Sequence, residues 1–109
     1  MEIGFRDDKL RDLCEKERVA RKKLGDACAR KLRSRLADLD AARVVTDLVI
    51  GRPHPLKVDR AGQFALHLAG GVRLVFAPAN EPVPQTQDGS TDWSEVSAVR
   101  IEFIGDYHD

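Results

Sequence analysis

Phe64-Ala65-Leu66-His67-Leu68-Ala69-Gly70-Gly71-Val72-Arg73-Leu74-Val75-Phe76 reads as a β-hairpin, and its register decides the fold. Phe64, Leu66 and Leu68 alternate along the first arm and Val72, Leu74 and Phe76 along the second, the period of two of a strand buried on one face. A three-residue loop of Ala69-Gly70-Gly71 pairs Leu68 with Val72, Leu66 with Leu74 and Phe64 with Phe76, so every large apolar side chain points one way. A two-residue loop of Gly70-Gly71 would set Arg73 beside Leu68 on the core side, and burying an unpaired guanidinium is costly. The three-residue loop therefore sets His67 across from Arg73 on the opposite, open face.

Downstream, Val99, Ile101 and Phe103 give a last strand one core side and leave Arg100 and Glu102 outward. Upstream, Met1 to Phe5 alternates as a short first strand, and Asp7 or Asp8 can cap a helix carrying Leu10, Leu13 and Cys14 on one side. A longer helix follows from about Arg18 to Leu39. Its apolar residues Ala20, Leu24, Ala27, Cys28, Leu32, Leu36 and Leu39 step by three or four into one stripe, which Gly25 weakens without breaking. Asp40-Ala41-Ala42 restarts a short helical turn toward Leu48 and Ile50, and Gly51-Arg52-Pro53 ends regular structure. Pro78, Pro82, Pro84 and Gly89 make residues 77–95 an irregular acidic loop, anchored on its return by Trp93. These elements compose an α+β fold, a small antiparallel sheet packed against two N-terminal helices, in a single domain over 1–109.

A chain of 109 residues holds one modest core. With 42% hydrophobic and 33% charged residues, it belongs with neither disordered nor fibrous proteins. It has neither an apolar run of membrane-spanning length nor the apolar stretch of a signal peptide, so a cytoplasmic location without membrane contact is expected. Cys14 and Cys28 lack Cys-x-x-Cys spacing and read as buried thiols, and no metal or other cofactor is expected. The formal charge is zero, but it is segregated. Residues 1–35 carry 12 Lys and Arg against 7 Asp and Glu, while residues 77–109 carry 1 against 7. A basic front half suits a polyanionic partner such as RNA, or else is a salt-bridged helix surface.

Chemistry concentrates near the sheet. Asp106-Tyr107-His108 places a carboxylate, a phenol and an imidazole in succession after the last strand. His54 and Lys57 lie in a loop, and Arg73 is turned from the core by parity. Cutting RNA through its own 2′-hydroxyl needs proton transfer and cations for the extra charge on phosphorus, and these six residues supply both. Histidines exchange protons near neutral pH, while Lys57 and Arg73 can hold a phosphate, Arg73 through a bidentate fork. Asp106 can orient an imidazole or act as base, and Tyr107 can stack on a base or donate a proton. Which group is base and which acid is not assigned. His67 lines the same face. Arg21, Lys22, Lys23 and Arg30, with Lys31, Arg33 and Arg35, face solvent between the helical stripes, either simply solvated or tracking phosphates. Asp59 and Arg60 read as a local ion pair.

The ordered succession Leu39-Asp40-Ala41-Ala42, His54-Pro55-Leu56-Lys57, Asp59-Arg60, Gly62-Gln63-Phe64, Val72-Arg73-Leu74-Val75-Phe76, Ile101-Glu102-Phe103-Ile104 and Asp106-Tyr107-His108 resembles the HigB-type toxins of the RelE/ParE superfamily of bacterial toxin–antitoxin systems. The resemblance spans nearly the whole chain apart from the loop after Phe76, which is unusually long for such toxins. Relatives commonly hold glycine and an aromatic residue at the positions of Val58 and Val72. It implies a RelE/ParE-like fold, metal-independent cutting of mRNA on the ribosome, and a HigA-like helix-turn-helix antitoxin through which alone operator DNA is contacted. It also implies cutting roles for His54, Lys57, Arg73, Asp106, Tyr107 and His108. The alternatives are a ParE-like inhibitor of DNA gyrase, which needs no such cluster, and a catalytically inactive antitoxin-binding homologue. Fold alone does not separate them.

Overall fold

A computed structural model of the chain describes residues 1–107. Strand β1 (Glu2–Phe5) leads into three helices, α1 (Asp8–Glu15), α2 (Glu17–Leu24) and α3 (Asp26–Ala41). Four strands follow: β2 (His54–Pro55), β3 (Phe64–His67), β4 (Val72–Pro78) and β5 (Ala98–Asp106). They form one sheet in the order β1-β5-β4-β3-β2. All neighbours are antiparallel except β1 and β5, which run parallel, so the sheet is mixed at that edge rather than antiparallel throughout. The three helices carry the chain from β1 to β2 at the far edge, and β3, β4 and β5 then return to set β5 parallel beside β1.

The hairpin has the register its side-chain parity requires. Phe64 pairs with Phe76, Leu66 with Leu74 and His67 with Arg73, and the Leu68 amide donates to the Val72 carbonyl at 2.9 Å across the three-residue loop. Leu66, Leu74, Phe76, Val99 and Ile101 are buried against Leu32 and Leu39 of α3. Each such side chain contributes roughly 1.5–3 kcal/mol by leaving water. Trp93 anchors the 77–95 segment as expected, its ring 4.9 Å from Phe64 and 6.5 Å from Phe76. That segment is less irregular than its composition suggests. Ala77 and Pro78 still belong to β4, Gln85 bridges Thr91, and Asp88 ties the turn through Thr86 and Ser90.

Several expectations are corrected. The long helix is two, because Gly25 takes φ +84° and ends α2, its amide closing on the Arg21 carbonyl at 2.9 Å. Arg21, Lys22 and Lys23 fill the last turn of α2 and Asp26 the first turn of α3, charges that favour the two helix ends at this break. With the axis reset, Ala29 rather than Ala27 enters the core, and Arg35 is buried instead of facing solvent, its Nε donating to Asp38 at 2.9 Å. Asp40 and Ala41 complete α3, and the later turn is a 3₁₀ turn at Val45–Asp47. Between the two cap candidates, Asp7 does the work, accepting from the Leu10 amide at 2.9 Å, and this bond holds its carboxyl below the usual range.

The last correction bears on the site. Val75 pairs with Phe103 but Phe76 pairs with Ile101, so β5 holds one extra residue, Glu102, as a bulge. Ile104 thereby takes the helix side and Phe103 moves to the open face. Glu102 is buried rather than outward, and Arg100 donates to it through Nε and Nη2 at 2.9 and 2.6 Å.

Candidate active site on the open sheet face

The face away from the helices has an apolar half and a basic half. Leu56, Ala65 and Val75 make a small second core, with Phe103 and Tyr107 packed on it. The guanidinium of Arg60 lies over both rings, 4.7 Å from each centroid. The expected Asp59–Arg60 ion pair does not form. An exposed pair is worth about 0–1 kcal/mol, whereas two cation–π contacts contribute roughly 0.5–1 kcal/mol each and cover apolar surface too. Stacking therefore wins. Arg60 and Phe103 are the residues that sequence reasoning missed, since a bulge leaves no mark in an alternating pattern.

The basic half begins beside this patch. Arg73 on β4 pairs with His67 of β3 on one side and with Gly105 of β5 on the other. Its Nη1 is shut off from water and has no hydrogen-bond partner among the described residues. His54 pairs with Ala65, which puts it on the same face, and its ring meets that of His67 edge-on with centroids 5.6 Å apart. His54 Nδ1 stands 2.8 Å from the Arg52 carbonyl. A carbonyl only accepts, so Nδ1 carries a proton and Nε2 is left for chemistry. The His67 amide donates to the Gly51 carbonyl at 2.6 Å, fastening the turn ahead of β2 to β3. Burial, then Arg73, His54 and Arg52, push the His67 imidazole below its ordinary pKa.

Backbone strain brackets β2. Arg52 holds φ +50° and Val58 φ +56°, and Val58 is a β-branched residue 86% exposed to water. Neither conformation suits its side chain, and such outliers cluster where function over-determines the backbone. Lys57 stands exposed between His54 and this strained turn.

Of the expected site residues, the structure thus gathers His54, His67 and Arg73, with Tyr107 packed on the apolar half of the same face and Lys57 exposed in the loop after β2. Asp106 is one residue out of step. It pairs with Val72, whose side chain packs on the helix-side core, and its carboxylate sits 2.6 Å from where a Cβ on Gly71 would stand. His108 lies outside the described residues. Arg21, Lys22, Lys23 and Arg30 are exposed on α2 and α3, apart from the sheet site. Arg21 and Arg30 share a shallow hollow of about 220 Å³ with Glu17 and Asp26, and Arg33 there is ion-paired to Glu17 at 3.2 Å. No group of three His, Cys, Asp or Glu that could hold a metal is present among the described residues, and none of their helices is long and apolar enough to cross a membrane.

No protein-family model and no curated protein matches this sequence. A solved structure does. The YoeB/ParE toxin from Agrobacterium tumefaciens superposes with a TM-score of 0.60 over 99% of this chain and 100% of its own, at 13% identity. The chain has a YoeB/ParE toxin fold. The toxin fold is thus kept end to end with little of the sequence in common, as expected when packing is set by pattern rather than by residue identity.

Proposed function

We propose that this chain is the toxin of a toxin–antitoxin pair and acts as a metal-independent endoribonuclease, cutting mRNA on the ribosome and so stopping translation. One observation carries the reading: a guanidinium nitrogen, Arg73 Nη1, kept dry and unpaired beside two imidazoles on an open face. A fold leaves such a group unsatisfied at a cost, and a phosphate oxygen is the partner that would satisfy it. His54, with Nδ1 already engaged, offers Nε2 for proton transfer, while Lys57 adds charge at the rim and Tyr107 a ring on which a splayed base can stack. Asp106 and His108 complete the set by resemblance. The toxin fold supports a toxin–antitoxin role, and the resemblance of the ordered residues quoted above supports the HigB type with a helix-turn-helix antitoxin as partner. The exposed cations of α2 and α3 suit ribosomal RNA, which would leave the sheet face for the codon.

Primer extension on a defined mRNA in a purified translation system tests this. Cuts within translated codons that require ribosomes and fall at least about 10²-fold in Arg73→Ala are expected. Absence of cutting with translation unimpaired overturns the nuclease reading, and a supercoiling assay then tests gyrase inhibition.

A further inference from the structure

We infer that His67, two strands in from β5 and across from Arg73, is the general base of the cut, with His54 as its paired general acid. The inference rests on the nuclease reading above and assigns within it the two proton transfers. His67 takes the proton from the 2′-hydroxyl as the 2′-oxygen forms its bond to phosphorus. His54, as the imidazolium, gives the proton on Nε2 to the departing 5′-oxygen as the phosphorus–oxygen bond breaks. The products are a 2′,3′-cyclic phosphate, a free 5′-hydroxyl, a protonated His67 and a neutral His54. Exchange of one proton with water at each ring restores the start.

Three features on the page carry this beyond a histidine that merely lines a face. The backbone of His67 is held from both sides, by Arg73 in the β-ladder and by the Gly51 carbonyl, so its ring has a fixed origin. Among the described residues neither of its ring nitrogens takes a hydrogen bond, which is unusual for a half-buried imidazole and leaves both open to a ligand. Finally, the charged or titratable groups that face it are Arg73 from β4, His54 from β2 and Arg52 from the turn before β2, and all are basic. Partial burial, and then these cations, favour the neutral ring, which suits His67 to accept a proton. His54 lacks that excess of freedom, since the Arg52 carbonyl keeps Nδ1 protonated. The two imidazoles, in edge contact with centroids 5.6 Å apart, can each turn a nitrogen toward one phosphate held by Arg73.

Single-turnover cutting by ribosome-bound protein, measured from pH 5 to 8.5 for the unaltered chain, His67→Gln and His54→Gln, tests the assignment. At pH 7 His67→Gln is expected to slow cutting by about 10²-fold or more and to abolish the rising acid limb of the profile. His54→Gln should also slow cutting but leave the acid limb in place. The ring of His67 in the unaltered protein, followed by NMR, should titrate at the pH of the acid limb. Cutting by His67→Gln within threefold of the unaltered rate, or a His67 titration displaced from that limb, overturns the inference while leaving the nuclease reading in place. Failure of the unaltered protein to cut overturns both. If His67→Gln does not fold, the NMR comparison alone decides.

Discussion

A guanidinium nitrogen sealed from water without a partner costs the fold roughly 1–3 kcal/mol, and Arg73 Nη1 is such an atom. Arg73→Leu is therefore expected to raise the urea midpoint while abolishing RNA cutting, a pairing that an ordinary structural arginine would not produce. Val58 makes the complementary case. Its φ of +56° and its exposure leave nothing to compensate a β-branched side chain in the left-handed region. Val58→Gly should stabilise the protein by roughly 1 kcal/mol in denaturant titration, and an unchanged midpoint would show that the turn relaxes in solution. Parity alone pointed to Arg73 and His67, because alternation in a well-patterned hairpin leaves few choices. The burial of Arg35 and the stacking of Arg60 depend on contacts between distant segments, and no local pattern encodes them.

At the level of elements, Gly25 separates two helices that one apolar stripe had seemed to join. A Cβ at Gly25 would meet nothing within 4 Å, so any effect of Gly25→Ala comes from the backbone alone. With φ +84° and ψ 164°, alanine there should cost roughly 1–3 kcal/mol, read from thermal or urea unfolding. The signal for this break stood in the sequence: three basic residues shortly before the glycine and an acid directly after it, the charges that suit a helix end and a helix start. Stripe periodicity outweighed it because a stripe survives a break that keeps both helices on one face. The bulge at Glu102 differs in kind. Alternation in Val99, Ile101 and Phe103 looked complete, and only the pairing with β4 reveals that Phe103 belongs to the other side. Gly105 shows what the shift requires, since a Cβ there would stand 2.8 Å from the Phe103 ring. Gly105→Ala should displace that ring and with it the Arg60 stack.

Across the whole molecule, charge and titration set the conditions for function. If the helical cations meet RNA, then Arg21→Glu with Arg30→Glu should weaken binding and flatten the dependence of log affinity on log salt; an unchanged slope would assign those residues to solvent. His67 also links stability to pH. Its pKa is lower folded than unfolded, so the unfolded chain binds more protons near pH 6. Its contribution is whole above about pH 6.5 and fades as the pH falls through that value toward the folded pKa. A thermal midpoint that declines over this window in the unaltered protein, and less so in His67→Gln, would verify the link. Finally, β5 comes after every other strand in the sequence yet lies between β1 and β4 in the sheet. While the chain is being made, β1 has no strand to pair with and Arg73 lacks Gly105 beside it until this last strand emerges from the ribosome. If the proposed nuclease reading holds, a nascent chain stalled before β5 would lack the face that cuts, and synthesis itself would delay cutting until the sheet closes.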